Sequence, residues 1–575
     1  MPEQLFRPFL NKVTMKRIAI FALTCFFNQA FAQHLLYIPD TLSGTTFHLT
    51  VHPDSVQFFP GAITKTFGIN GYKFLGPTLI FRKGDSVSIT VNNQMGDTTT
   101  MHWHGLHVAP KNDGGPYSMI MNGMSWTPQF QIRNNAATYW YHPHMMMKTA
   151  EQAIKGDAGL IIIRDDAEAA LALPRRYGVD DFPIVVQSVE LDSQNQFMPR
   201  GMVDSIELVN GTDSPYVNMP AQVVRMRLLN ASGERTFNFG FTANKSFSVI
   251  GNDGGLLPAP VSTTRVRLSP GERAEILIDL SGMNGQIIYL MSYASELPMG
   301  VQGGPTMPMP PGSPAMNSPL NGIDFDLLQI NVGAQTSSPL TTIPATLIPD
   351  TPYLESIANA FRTIHMTADS MTVMDGPFYF NHSLFDMNRI DYRIPLNNTE
   401  VWTLLDSTMV AHPFHIHDVH FYILDRNGNP PSPVERGRKD VVLIQPNETV
   451  RFITEFNDFA DTTTPYMYHC HILMHEDDGM MGQFIVGSNF TGIQNVASNS
   501  NLVYPNPAKN ELNIRLGNTS SQITKIKVTD ILGREIYTGT FTDSIKLNTL
   551  GWTKGFYTIL LINDNETSVE KIVIN

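Results

Sequence analysis

The stretch YHCHILMHEDDGMM, which runs from Tyr468 to Met481, gathers most of the metal-binding residue types of the chain into fourteen positions. In order, these are His469, Cys470, His471, His475, Met480 and Met481. We expect a strand over residues 468–472, and successive strand side chains point to opposite faces. His469 and His471 would then share one face while Cys470 points to the other. One short segment could therefore bind metal on both sides.

A thiolate, imidazoles and a thioether are the ligands of a blue-copper site. Cys470, His475 and a methionine would hold one copper ion, and His469 and His471 would serve a second centre. Because the cysteine is bonded through only a few atoms to both imidazoles, electrons could pass from one centre to the other. The alternative is a buried free cysteine beside surface histidines, which is the usual interpretation of an isolated Cys or His.

Several of the 17 histidines occur in pairs spaced two residues apart, and this weakens that alternative. The pairs are His102 and His104, His142 and His144, His415 and His417, and His469 and His471; His412 precedes the third pair. Two residues of a strand separate such imidazoles by roughly 6–7 Å, which suits two neighbouring ions better than one. Two pairs near each end of the chain provide eight imidazoles, enough for three ions.

The chain resembles the multicopper oxidases over about residues 45–487. The motifs that carry the resemblance are HWHG at 102–105, HPH at 142–144, HPFHIH at 412–417 and HCHILMHEDDGM at 469–480. The resemblance implies three cupredoxin domains, each a Greek-key β-sandwich. It also implies an enzyme that takes electrons one at a time from a small reducing substrate and reduces dioxygen to water.

Four copper ions are implied by the resemblance, with every ligand position filled in this sequence. A type 1 copper would be bound by His412, Cys470 and His475, with Met480 as the axial ligand because the family's axial methionine lies ten positions after the cysteine. A type 2 copper would be bound by His102 and His415. A type 3 pair would be bound by His104, His142, His144, His417, His469 and His471.

Two acidic residues also match family positions that relay protons to the oxygen-reducing site. Asp113 follows the first motif, and Glu476 follows His475 directly. Reduction of dioxygen to water consumes protons, so carboxylates beside the cluster make chemical sense. The alternatives are a turn residue for Asp113 and a hydrogen-bond acceptor that orients ligands for Glu476.

Length and composition predict several all-β domains. The chain has 575 residues, which is too many for one core, and 42 Gly and 39 Pro indicate many turns. We expect cupredoxin domains at 33–166, 167–340 and 341–488, and a small C-terminal β-sandwich at 495–575. The second domain contains no histidine and is interpreted as a spacer. The one helix-like piece there, Asp165–Leu173, would cross between domains.

Residues 1–32 read as a secretory signal peptide, with Met15 as the more natural start. Lys16 and Arg17 precede the apolar run 18–27, and Ala30-Phe31-Ala32 forms a cleavage site. Cleavage would leave Cys470 as the only cysteine, so no intrachain disulfide could form. It would also move the formal charge from −13 to −16, which is unfavourable for nucleic acid or anionic lipid. No later stretch is apolar enough for a transmembrane helix.

The last eighty residues resemble the C-terminal sorting domain of the type IX secretion system of Bacteroidetes. The resemblance rests on Tyr504-Pro-Asn-Pro507, Asp530-Ile-Leu-Gly-Arg534 and Lys554-Gly-Phe-Tyr557. It implies a secreted or cell-surface protein that uses this secretion machinery, and we expect a monomer. The alternative is an ordinary β accessory domain, with the protein in the periplasm.

The substrate is predicted from what precedes HPFHIH. Copper-efflux cuprous oxidases have Asp and Met where this chain has Thr408 and Val410, which favours laccase-like oxidation of phenols and aromatic amines, or of bilirubin-like pigments. The alternatives are a cuprous oxidase and a non-catalytic copper-binding surface protein. Residues 298–319, rich in Pro, Gly and Met, are either a copper-capturing loop or a flexible surface loop; their methionines are Met299, Met307, Met309 and Met316.

Overall fold

A computed structural model describes residues 33–201, 203–306, 318–370, 376–488, 490, 502–516, 523–530, 534–562 and 567–575. The predicted signal peptide and Met307, Met309 and Met316 lie outside these residues. The fold is all-β, as predicted. The α-helices in the described part are α1 Pro110–Asp113, α2 Thr149–Ile154, α3 Asp166–Ala169 and α4 Leu473–Asp477. Short 3-10 helices occupy Thr242–Asn244, Ala294–Glu296, Glu355–Ile357 and Pro433–Glu435.

Strand β1 (His34–Leu35) belongs to the second sandwich, although its position in the sequence predicts that it belongs to the first. It pairs in parallel with residues 215–216, which belong to the second sandwich. The prediction that domain one begins at residue 33 is therefore wrong for these residues.

The first sandwich lies between residues 41 and 164. One sheet has the order β2-β5-β11-β10-β7 and the other β4-β3-β6-β8, with β9 beside β6. In SVSITVNN, the sequence of residues 86–93, Val87, Ile89 and Val91 are buried because alternate side chains face the other sheet. The strands are β2 Thr41–Ser43, β3 Thr46–Val56, β4 Thr64–Ile69, β5 Thr78–Arg82, β6 Ser86–Asn93, β7 His102–His104, β8 Ser125–Trp126, β9 Gln129–Gln131, β10 Ala137–His142 and β11 Gly159–Arg164.

The second sandwich has the largest apolar core of the molecule's described residues and lies between residues 181 and 333. Its sheets have the orders β1-β15-β23-β22-β17-β20 and β14-β13-β12-β16-β21-β18-β19. The strands are β12 Asp181–Val189, β13 Ile206–Val209, β14 Thr212–Asp213, β15 Pro215–Pro220, β16 Val223–Asn230, β17 Phe237–Phe241, β18 Phe247–Asn252, β19 Gly255–Thr263, β20 Val266–Leu268, β21 Arg273–Asp279, β22 Ile287–Ser292 and β23 Phe325–Gly333.

The third sandwich, between residues 360 and 487, carries the stretch with Cys470. Its sheets have the orders β25-β24-β27-β31-β29 and β26-β33-β32-β28-β30. The strands are β24 Ala360–Ala368, β25 Phe378–Phe380, β26 Tyr392–Pro395, β27 Asn398–Asp406, β28 His412–Ile416, β29 Phe421–Arg426, β30 Val441–Ile444, β31 Thr449–Phe456, β32 Asp461–Cys470 and β33 Met481–Gly487.

The C-terminal sandwich has its own apolar core between a three-stranded and a four-stranded sheet. The sheet orders are β34-β35-β38 and β37-β36-β39-β40. The strands are β34 Leu502–Tyr504, β35 Glu511–Arg515, β36 Thr524–Asp530, β37 Glu535–Phe541, β38 Ser544–Asn548, β39 Gly555–Ile562 and β40 Thr567–Ile574. Nowhere in the described parts of the chain is a helix both long and apolar enough to cross a membrane.

The helix predicted at 165–173 is shorter than expected but does link two sandwiches. Asp165 caps α3 by accepting a hydrogen bond from the backbone N–H of Glu168. Glu168 is buried and accepts a hydrogen bond from Arg225 of the second sandwich at 2.7 Å. A separate apolar cluster joins all three sandwiches and includes Trp140, Val185 and Leu473.

Candidate metal centres

Strand register brings the distant histidine motifs together. His102 pairs with His142 across β7 and β10, and His415 pairs with His469 across β28 and β32. All eight imidazoles of the four pairs are buried. The first and third sandwiches therefore meet at one histidine cluster.

We predicted that both histidines of each pair would lie within one strand, and this holds only for the first pair. His102 and His104 lie in one strand, but His144, His417 and His471 follow the ends of β10, β28 and β32. A strand over 468–472 is thus correct only as far as Cys470. The ring centroids within the four pairs are 5.8, 6.4, 5.0 and 5.5 Å apart, so each pair still spans two sites rather than one.

One group of three nitrogens combines both sandwiches. Nδ1 of His104 lies 3.3 Å from Nε2 of His142 and 3.3 Å from Nε2 of His471. The ring of Trp140 packs beside all three imidazoles, with centroid distances of 5.2, 4.1 and 5.6 Å. Packing of this kind fixes the ring orientations.

A second group of three is formed by Nε2 of His144, His417 and His469, which lie 3.2–3.3 Å apart. Nitrogens that bind one ion tetrahedrally at about 2.0 Å lie about 3.3 Å from one another. Both groups therefore have the spacing of three ligands around a first-row transition metal.

His102 and His415 stand between these groups. The His102 ring stacks on His417 with centroids 4.0 Å apart, and the His415 ring stacks on His104 at 3.9 Å. Their Nδ1 atoms bond to the carbonyl oxygens of Asp113 and Asp440, at 2.9 and 2.8 Å. Their buried Nε2 atoms have no hydrogen-bond partner among the described residues. Two unpartnered nitrogens beside two groups of three fit a third ion.

Burial keeps these imidazoles ready for metal. Desolvation lowers the pKa of His104, His142, His144 and His469 well below the usual value, and neighbouring histidines add to the shift. A neutral imidazole offers the lone pair that a metal needs.

The site of the other predicted copper lies on the opposite side of β32. Sγ of Cys470 is 3.6 Å from Nδ1 of His412 and 3.5 Å from Nδ1 of His475. The Phe378 ring covers both imidazoles, with centroids 4.7 and 4.5 Å away. Burial raises the pKa of the Cys470 thiol, so a bound cation is what would favour its thiolate.

The structure separates the two candidate methionines. Met480 belongs to the same apolar cluster as Cys470, Phe378 and Val410. Met481 pairs with His469 in the sheet and lies outside that cluster. This placement favours Met480 as the thioether beside Cys470.

Both predicted proton-relay acids contact imidazoles of predicted ligands. Oδ2 of Asp113 lies 2.7 Å from Nδ1 of His417, and Oδ1 lies 3.3 Å from Nδ1 of His102. Burial opposes ionisation of Asp113, but these two histidines lower its pKa overall. Asp113 is also the last residue of α1. It therefore occupies a turn position and contacts imidazoles as well.

Glu476 lies on α4 and bridges two further imidazoles. Its Oε1 is 3.1 Å from Nδ1 of His144, and its Oε2 is 3.3 Å from Nδ1 of His469. Burial raises the pKa of this carboxyl well above the usual value, with Asp477 adding to the shift. The next residue, Asp477, accepts hydrogen bonds from the backbone of α2 and holds α4 in place.

A third carboxylate, Asp440, also faces the cluster and was not predicted from the sequence. It is fully buried, and its Oδ1 lies 3.2 Å from Nε2 of His104. The available signal was the charged pair Lys439-Asp440 directly before the apolar run VVLI, since charges at the start of a buried strand need partners.

Thr408 and Val410 are both buried beside His412. The Thr408 hydroxyl donates to the carbonyl oxygen of Val410 at 2.8 Å and accepts from Nε2 of His412 at 2.9 Å. These residues orient a predicted ligand and present no acid or thioether to solvent.

Family models described as multicopper oxidase match residues 50–168, 191–305 and 351–489, and a model of a secretion-system C-terminal sorting domain matches 502–575. The multicopper oxidase mco of Staphylococcus haemolyticus is 33% identical over 447 residues, which cover 76% of this chain and 88% of that protein. The cell division protein FtsP of Escherichia coli is also 33% identical, covering 79% of this chain and 93% of its own length.

Among solved structures, a laccase-like multicopper oxidase, CueO, from Ochrobactrum sp. superposes with a TM-score of 0.69. It is 31% identical, and the match covers 78% of this chain and all of that one. That protein is described as having oxidase activity towards lignin model compounds and lignosulfonate. On identity, coverage and fold, this chain belongs to the multicopper oxidase family.

Proposed function

We propose that this protein is a four-copper oxidase that couples one-electron oxidation of small phenols or aromatic amines to the reduction of dioxygen to water. Family membership implies copper, and the observation that carries the proposal is the complete set of buried donors. Bound copper would supply the redox chemistry and the place at which dioxygen is reduced.

The type 1 site is assigned to His412, Cys470, His475 and Met480. His475 is 6% exposed whereas His412 and Cys470 are fully buried, so its imidazole edge is where a substrate can approach. The Phe378 ring packs against the imidazoles of both His412 and His475.

The type 3 pair is assigned to the two groups of three nitrogens: His104, His142 and His471, and His144, His417 and His469. The type 2 site is assigned to His102 and His415. Cys470 lies between His469 and His471 in the chain, and each of these belongs to a different group of three. The backbone of one tripeptide thus connects the substrate side to both halves of the oxygen-reducing site.

Asp113 and Glu476 are assigned to proton delivery. Each carboxylate lies within 3.3 Å of two predicted ligand imidazoles, one from the first sandwich and one from the third. They can orient the imidazole rings through Nδ1 and hold protons close to where oxygen is reduced.

The buried positions of Thr408 and Val410 support phenol oxidation over oxidation of Cu(I). A dedicated Cu(I) site needs soft or acidic ligands that solvent can reach. The test measures dioxygen uptake by the copper-loaded protein with dimethoxyphenol and with Cu(I) in parallel. Faster uptake with the phenol supports the proposal, and faster uptake with Cu(I) assigns copper detoxification instead.

A non-catalytic role is the second candidate, since a relative of equal identity is named as a cell division protein. The full donor set argues for turnover. A copper-loaded protein that binds copper at these sites but consumes no dioxygen with either reductant would assign the binding role.

Export to the cell surface is proposed from the C-terminal sandwich, which matches a secretion-system sorting domain. Cleavage of the signal peptide and a monomeric state of the exported protein are part of the same proposal. Secretion machinery, dioxygen and the reducing substrate would be the partners.

A further inference from the structure

We propose that Arg273 of the second sandwich is a positioning residue for the type 3 site, acting through Asp440 on His104. The inference rests on the copper assignment proposed above. It gives the histidine-free second sandwich a part in the oxygen-reducing site rather than the role of a spacer.

The guanidinium of Arg273 uses all of its donors at the junction of the three sandwiches. Nη1 and Nη2 bind the two carboxylate oxygens of Asp440 at 2.5 and 2.7 Å. The other three hydrogen bonds go to the backbone carbonyls of Thr138, Gly271 and Asp253, at 3.1, 3.1 and 2.9 Å. Arginine alone has five N–H donors in a planar fork, so lysine cannot reproduce this set.

Asp440, held by Arg273, in turn contacts two predicted ligands, His104 and His415. Its Oδ1 faces Nε2 of His104, which leaves Nδ1 of His104 to point at His142 and His471. Its carbonyl oxygen holds Nδ1 of His415. Arg273 and Asp440 are both fully buried, and a two-point contact in such surroundings fixes geometry more firmly than in water.

The turn before Arg273 contacts the cluster independently. Gly271 has φ +85°, and a Cβ built there would lie 2.9–3.0 Å from three ring atoms of His471. A side chain would therefore both strain the backbone and push this imidazole. The turn closes against His471 while its arginine holds Asp440, so two members of one nitrogen group are set by the second sandwich.

The test compares Arg273→Lys with Arg227→Lys in the full-length, copper-loaded protein. Arg227 is a matched control because it is equally buried in the second sandwich and also contacts Thr138, but its carboxylate partners are Asp181 and Glu275, which touch no ligand. Copper retention against a chelator, the blue type 1 absorption and the fraction of copper detected by EPR are measured.

For Arg273→Lys we expect the blue absorption to persist, copper retention to weaken about 10- to 100-fold, and extra EPR-detectable copper from an uncoupled type 3 pair. Arg227→Lys should lower the unfolding free energy without changing the EPR-detectable fraction. Gly271→Ala should show the same EPR change as Arg273→Lys, because it displaces His471 from the same group.

The proposal is overturned if Arg273→Lys matches Arg227→Lys in copper retention and EPR, or if it loses type 1 and type 3 signals equally. Failure of both Arg273→Lys and Gly271→Ala to fold while Arg227→Lys folds would likewise assign a purely structural role. A wild-type protein without a coupled type 3 pair would instead refute the proposed copper assignment itself.

Discussion

Oε1 of Glu476 in the third sandwich lies 3.1 Å from Nδ1 of His144 in the first, and the same carboxyl reaches His469 with its other oxygen. One acidic side chain thus links the first and third sandwiches within a single group of three nitrogens, that of His144, His417 and His469. Burial raises the pKa of this carboxyl well above the usual value, so in the proposed function it would hold a proton beside the cluster.

Replacing Glu476 by Gln should slow dioxygen reduction about 100-fold or more, since the amide keeps the shape but cannot relay protons. Reduction of the type 1 site by a phenol should remain fast. Stopped-flow measurement of the blue absorption alongside dioxygen uptake separates the two steps. Asp478→Asn is the neighbouring control, because Asp478 pairs with Arg200 at 2.6 Å near the surface; an equal loss there would contradict the role given to Glu476.

Replacing Thr408 by Val should destabilise the protein by about 1–3 kcal/mol, because the buried Nε2–H of His412 loses its acceptor. The reduction potential of the type 1 site should shift, while the type 3 signal should not. Urea unfolding and redox titration measure the two effects. Thr408→Ser keeps the hydroxyl and should behave like wild type. An unchanged reduction potential in Thr408→Val would mean that Thr408 does not affect the potential of the type 1 site.

The copper-free protein should lose stability as the pH falls below 6.5. Burial, with repulsion from Arg273 and Arg438, lowers the pKa of His420 to about 3, against 6.5 for an unperturbed histidine. The unfolded chain therefore binds more protons than the folded one, and each such histidine removes about 1.4 kcal/mol per pH unit below 6.5. Urea unfolding between pH 7 and pH 5 measures the slope.

His420→Gln is the control for this slope. Nε2 of His420 donates to the carbonyl oxygen of Gly105 at 2.9 Å, and a glutamine amide can do the same without titrating. The variant should show a smaller dependence on pH by about one proton. An identical slope would mean that His420 does not titrate on unfolding.

Ending the chain after residue 488 should leave copper loading and phenol oxidation unchanged and abolish secretion. The apolar core of the C-terminal sandwich is separate from that of the third sandwich, and the two share no sheet in the described residues. Activity assays on the purified protein and on the culture medium check the two outcomes. Loss of oxidase activity in the purified truncated protein would contradict this separation.

The all-β fold and the grouping of the histidines at metal sites could be predicted from the sequence. Both depend on local signals, namely short motifs, alternating apolar residues and turn residues. The sequence did not predict that β1 joins the second sandwich, since parallel pairing with residues 215–216 depends on distant chain. It placed His471 in a strand because alternation was assumed to continue past Cys470.

The residues that surround the ligands were the hardest to predict. Asp440 and Arg273 carry no motif, and each becomes significant only because three sandwiches meet at their carboxylate–guanidinium contact. Gly271 is one glycine among 42 until its distance from His471 is known. Tertiary contacts of this kind are set by packing between domains, which local sequence patterns do not encode.

The most direct test of the four-copper account is an anaerobic reductive titration of the oxidised, copper-loaded protein followed by exposure to dioxygen. We predict that each chain accepts four electrons, that the blue absorption disappears during the titration, and that reoxidation releases no hydrogen peroxide. Uptake of a single electron per chain, or release of peroxide on reoxidation, would contradict the four-copper account.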